Sequence, residues 1–150
     1  MLSALRDFLT DLAGAPAEAA FDPADPRLAT AALLISVISV DDEEHPAEFR
    51  RLRAVLADAY GLTPEETEEL IAAARQSEED AVDLYAFTAR LKRALDEDGR
   101  RAVIGMMWEI VYADGTVSEF EENMIWRVAE LLGISSRDRL ALKRSVESRA

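Results

Sequence analysis

The sequence predicts an all-α protein, a compact bundle of seven or eight short helices in which one helical hairpin is repeated with pseudo-twofold symmetry. Three observations predict it. Apolar residues recur at helical spacing almost throughout the chain. No alternating apolar–polar stretch runs beyond a few residues, so strands have no support. The connection VDDEEHPAE at 40–48 returns as ADGTVSEFE at 113–121. Asp41 and Glu48 map onto Asp114 and Glu121 at an offset of 73, as does Leu52 onto Ile125, and each copy then ends in a glycine, Gly61 or Gly133.

Taken in order, Leu2, Leu5, Phe8, Leu9 and Leu12 make one face of a first helix, and the segment 14–26 reads as a linker. Asp25-Pro26 is an N-cap followed by proline at the first helical position, opening the apolar segment LATAALLISVISV that ends near Val40. Pro46 opens the next helix and Gly61 closes it as a left-handed cap. Thr63, Pro64 and Glu66 form a capping box for a further start. SEED at 77–80 reads as another cap, for a helix carrying Val82, Leu84, Tyr85, Phe87, Leu91 and Leu95. The segment RRAVIGMMWEIVYA is helical, Ser118 opens EFEENMIWRVAELL, Gly133 stops it, and Ser135 caps a last helix. Trp108 and Trp126 sit among apolar neighbours and are expected in the core. The reading is one domain over 1–150, with 1–27 as N-terminal helix and linker and 28–150 as the core.

The charge narrows the partners. The 150 residues carry a net charge of −13, which repels nucleic acid and anionic membranes and favours cations and basic protein surfaces. The absence of cysteine excludes disulfides, thiolate zinc sites and cysteine nucleophiles. The N-terminal residues, with Arg6, Asp7 and Asp11, lack the apolar core of a secretory signal, and the segment 28–40 falls short of a membrane span of about 20 residues. A cytoplasmic location without membrane insertion is expected. No nucleophile elbow and no Gly-rich phosphate loop is present, so an enzyme is not expected.

The acidic connections admit two readings. In the first they are only helix starts. Ser118 and Glu121 make a capping box, Asp114-Gly115 is a turn, and Glu48 lies in the first turn of a helix, where negative charge suits the dipole. His45 then reads as a cap or a solvated side chain. In the second reading the two connections face each other, and Asp41, Glu48, Asp114 and Glu121 give one site of oxygen ligands, with Asp42, Glu44, His45 and Glu122 near enough to assist. A self-contained EF-hand is excluded, because its first ligand positions would be Ile110 and Tyr112 in one copy and Val37 and Ser39 in the other.

ADGTVSEFE followed by NMIWRVAELLGIS resembles the signature of the TerB-like tellurite-resistance family, which includes the N-terminal domain of the membrane co-chaperone DjlA. The earlier copy, VDDEEHPAEFRRLRAVLADAYGLTPEE, is similar to that family's first acidic element, and the likeness spans about 28–145. Departures are Asp42, where glycine is usual, and His45, where a short capping residue is usual. The resemblance implies a compact all-α fold with two related halves and a cluster of acids proposed to bind divalent metal, here Asp41, Glu48, Asp114 and Glu121. The expected function is a non-enzymatic stress-response domain that binds a divalent cation, Ca²⁺ or Mg²⁺. The alternative is a protein–protein adaptor whose acidic turns are caps alone and whose partner is basic or apolar. Tellurite itself is an oxyanion, and so strongly negative a chain disfavours binding it directly.

Overall fold

The computed structural model of the protein describes residues 21–22, 24–41, 45–80 and 84–149. The expected first helix at 2–12, most of the linker, and Asp42, Glu44 and Val82 lie outside them. Seven helices and no strand occur among the described residues.

Helix α1, Pro26–Ser39, is the axis of the fold. Asp25 caps it by accepting the Arg27 backbone N–H at 2.9 Å, and Pro26 fills the first position, where no N–H is needed. Ten of its residues are buried, from Leu28 to Ile38, on every side of the helix. A helix apolar all round has to be enclosed, and α1 accordingly packs against five others. These are α2 (Pro46–Tyr60), α3 (Pro64–Asp80), α4 (Leu84–Ala94), α5 (Glu97–Val111) and α6 (Glu119–Leu131). Helix α7, Ser136–Arg149, closes the bundle against α5 and α6.

The expected caps are in place. Thr63 Oγ1 accepts from the Glu66 N–H at 3.2 Å while Glu66 Oε1 accepts from the Thr63 N–H at 3.0 Å. Ser135 Oγ takes the Asp138 N–H at 3.1 Å; a further cap, not singled out in the sequence, is Asp96, which takes the Gly99 N–H at 2.8 Å to start α5. The start expected at 77–80 is corrected: α3 runs through Asp80, and the next helix begins at Leu84. No glycine or proline interrupts Ala72–Ala74, Arg75, Gln76 and the following acids. Strong helix formers therefore carry the chain past Ser77, whose capping preference counts only where a helix has already ended.

Trp108 is buried as expected, but Trp126 is 47% exposed, with the Arg139 guanidinium 6.0 Å above its ring. Tyr85 is exposed too, while Phe87 and Leu91 of the same helix are buried.

The repeat is present in three dimensions down to its hydrogen bonds. Gly61 and Gly133 both take left-handed backbone angles, with φ of 62° and 75°. After each glycine the next N–H reaches back to the carbonyl five residues earlier, Leu62 to Ala57 at 3.1 Å and Ile134 to Ala129 at 2.9 Å. Leu52 and Ile125, equivalent in the two copies, are both fully buried. The two hairpins, α1–α2 and α5–α6, share one core through the contacts of α1 with α5 and α6 and of α2 with α5.

Candidate metal centre

The short connections after α1 and α5 meet at one end of this core. Each supplies an aspartate from the turn and a glutamate from the first turn of the following helix. Asp114 organises its own turn, accepting the Thr116 N–H at 3.0 Å, and Gly115 at φ 85° lets the chain reverse there. Ser118 Oγ accepts from the Glu121 N–H at 3.1 Å and Glu121 Oε1 accepts from the Ser118 N–H at 2.9 Å, the expected capping box.

That box uses only half of Glu121. The residue is buried, and its Oε2 has no hydrogen-bond partner. Glu48, its equivalent in the first copy, departs further from a helix start that only serves the dipole. It is 0% exposed, and neither carboxylate oxygen accepts a hydrogen bond. The reason lies one residue pair away: where the second copy has Ser118, the first has His45. His45 occupies the N-cap backbone position of α2, yet its side chain caps nothing. The expectation of His45 as a cap or a solvated side chain is thus corrected, since its ring is only 10% exposed and turned inward.

The imidazole joins the two connections. Nε2 lies 2.9 and 3.1 Å from the two oxygens of Asp41. Nδ1 lies 3.2 Å from Glu48 Oε2, off the line of a hydrogen bond, and 3.6 Å from Asp114 Oδ2 across the hairpins. One ligand-type atom each of His45, Glu48 and Asp114 fall within 4.8 Å of one another, a group that could hold a metal ion. Opposite ligands at about 2.4 Å from a cation stand roughly that far apart.

The electrostatics describe an anionic pocket. Burial pushes the Glu48 carboxyl up to about 10, its pairing with the Glu121 carboxyl, which one shared proton can bridge, comes next, and the charges of Glu121, Asp114 and Asp41 add to the rise. The Asp41 hydrogen bond raises the His45 pKa against the opposing effect of burial, with Glu121 and Asp114 contributing further. Of the four acids singled out in the sequence, Glu48 and Asp114 fall in the group with His45, while Asp41 and Glu121 act on it through hydrogen bonding and charge. Glu122, named as a possible helper, instead pairs with Lys143 of α7.

An isolated buried carboxylate is costly unless it is paired, protonated or bound to a metal. Ionised, Glu48 and the free oxygen of Glu121 have no hydrogen-bond donor and face other acids; without a metal, the proton Glu48 holds can bridge the pair. A divalent cation satisfies what they lack, so this donor set, mostly carboxylate with one imidazole, fits a metal ion.

The family model described as Tellurite resistance protein TerB matches residues 27–144. The chain belongs to that family. No curated protein and no solved structure matches it significantly. This TerB-family chain is thus a helical domain of tellurite-resistance type. Among its described residues, no helix is long and apolar enough to cross a membrane.

Proposed function

We propose that this TerB-family domain binds a divalent cation between its two acidic connections, as a non-catalytic component of a cytoplasmic stress response. Glu48, Asp114 and Glu121 are the proposed oxygen ligands, with Asp41 beside them. The observation that carries the reading is Glu48, wholly enclosed, its carboxyl set against that of Glu121 with no hydrogen bond from the rest of the protein, and Asp41 and Asp114 beside the pair. A helix start needs no such residue. The adaptor alternative, in which the acids are caps and nothing more, accounts for Ser118 and one oxygen of Glu121 but leaves Glu48 unexplained.

A cation that binds only the folded state raises its stability by mass action, about 2.7 kcal/mol at a hundredfold excess over Kd. The test is thermal unfolding in chelator and in millimolar Ca²⁺, Mg²⁺ or Mn²⁺, beside an Asp114→Asn/Glu121→Gln variant. A rise in Tm with at least one cation, abolished in the variant, is expected. No rise with any of them, or an equal rise in the variant, rejects the reading in favour of the adaptor.

A further inference from the structure

The two halves of the centre are not chemically equivalent. At the position where the second copy has Ser118, which closes a capping box, the first copy has His45, which leaves the cap open and puts an aromatic nitrogen among the acids. We propose that His45 Nδ1 is a metal ligand, that Asp41 holds the ring and is not itself a ligand, and that the site therefore selects a first-row transition cation over Ca²⁺ and Mg²⁺. This rests on the cation-binding reading above.

The geometry assigns the two ring nitrogens different tasks. A carboxylate only accepts hydrogen bonds, so the nitrogen 2.9 and 3.1 Å from the Asp41 oxygens is the one that donates, Nε2–H. That leaves Nδ1 as the donor atom facing Glu48 Oε2 at 3.2 Å and Asp114 Oδ2 at 3.6 Å. Adjacent donors on a cation with bonds near 2.1 Å are about 3 Å apart, so a small closure of these three atoms is enough. A carboxylate that grips the far nitrogen of a ligating histidine is the common arrangement of metal sites, where it sets the tautomer and the ring orientation. Asp41 is in that place. It lies on the His45 side, and its oxygens are already engaged.

The acidic cluster does not stand alone as evidence. The unbonded carboxylate of Glu48, 0% exposed, points into the same space as Nδ1. With Glu48, Asp114 and the free Oε2 of Glu121, the donor set is one nitrogen and three or more oxygens. Ca²⁺, Mg²⁺ and Mn²⁺ favour oxygen ligands, whereas imidazole suits Fe²⁺, Ni²⁺ and Zn²⁺, and Co²⁺ falls between Fe²⁺ and Ni²⁺ in affinity for such sites. The sequence-level expectation of Ca²⁺ or Mg²⁺ left this nitrogen out of the first rank of ligands.

The chain has a single histidine, which makes the test direct. Co²⁺, Mn²⁺, Ca²⁺ and Mg²⁺ are titrated calorimetrically into the 150-residue chain and into its His45→Gln, His45→Ser and Asp41→Asn variants. Proton NMR is recorded on the Co²⁺ form. Serine is the residue of the equivalent cap, so His45→Ser keeps the helix start if His45→Gln does not fold. Co²⁺ is expected to bind at least about tenfold more tightly than Ca²⁺ and to shift the imidazole protons of His45 far outside the diamagnetic range. Both His45 variants lose about tenfold or more for Co²⁺ while Ca²⁺ stays within about threefold, and Asp41→Asn weakens Co²⁺ by about tenfold. Equal affinities for Co²⁺ and Ca²⁺, or His45 variants that affect both ions alike, overturn this inference and leave the cation reading intact. Binding by none of the four ions removes the cation reading, and this inference with it.

Discussion

His45 Nδ1 lies 3.6 Å from Asp114 Oδ2, although the two residues come from opposite halves of the chain. This contact closes one hairpin onto its repeat and gathers the acids of both connections around a ring that neither half could place alone. Its energetic character is unusual: most of the groups around the ring repel one another, and the largest cost falls on Glu48, which is buried against the Glu121 carboxyl and held protonated.

Glu48→Gln removes that cost. In chelator at about pH 8 the variant is expected to be more stable than the natural protein by about 1 kcal/mol, or roughly 2–4 °C in Tm for a chain of this size. The gain shrinks near pH 5, close to the ordinary carboxyl value of 4.5, where keeping Glu48 protonated in the folded chain costs little relative to the unfolded one. Stabilisation by divalent cation is lost at the same time. Differential scanning calorimetry at both pH values reads all three effects, and a variant less stable than the natural protein at pH 8 contradicts the account.

The pH dependence of the metal-free protein has a definite sign. The pKa values of Glu48 and His45 are both raised in the folded state above their ordinary values of 4.5 and 6.5. The folded chain therefore holds protons that the unfolded chain releases. The stability this contributes is full below the ordinary values and is lost as pH rises through the folded ones. In chelator, Tm is expected to fall between about pH 6 and pH 9. Saturating cation replaces the protons and flattens or reverses the trend. Melting curves across that range, with and without cation, check it.

Capping and ligation can be separated at the second copy. Ser118→Ala removes one half of the capping box and is expected to cost about 1 kcal/mol while leaving the cation-induced shift in place. Glu121→Gln keeps a side chain that can still cap through its amide oxygen, so stability in chelator changes little while the cation-induced shift falls. Chemical denaturation of both variants, each with and without cation, reads the contrast. If the two behave alike, Glu121 is a cap and nothing else.

The glycine stops are a matter of backbone alone. Gly61→Ala and Gly133→Ala force alanine into left-handed angles, and each is expected to cost about 1–2 kcal/mol. Nothing lies within 4 Å of a Cβ added at Gly61, so its cost is conformational and involves no clash. Neither change is expected to alter cation affinity, and calorimetric titration of the two variants checks that.

Leu33→Ala tests the central position of α1. Leu33 is fully enclosed in the helix that five others surround. Its truncation is expected to cost about 3 kcal/mol or more, measured by urea denaturation.

The sequence by itself determined the helices and most of their ends. Proline at the first position, hydroxyl and acid caps, and glycine stops act within a few residues of themselves, so their chemistry is legible without knowing what packs where. The continuous apolar run of α1 likewise announced an enclosed helix. The repeat identified Asp41, Glu48, Asp114 and Glu121 as corresponding acids, because equal local roles leave equal spacings. Ser77 misled because a cap is a preference that tertiary structure and neighbouring helix formers can override. Trp126 misled because the helical period shows that a helix has an apolar face but not how wide the covering neighbours are. Only the tertiary structure decided that Glu48 is enclosed and unbonded, and that His45 turns away from its cap toward Asp41 and Asp114. The comparison of His45 with Ser118 was available in the repeat as a hint. Which way the ring points, however, depends on charges brought in from the other hairpin, and proximity across such a distance in the chain is a property of packing that no local pattern carries.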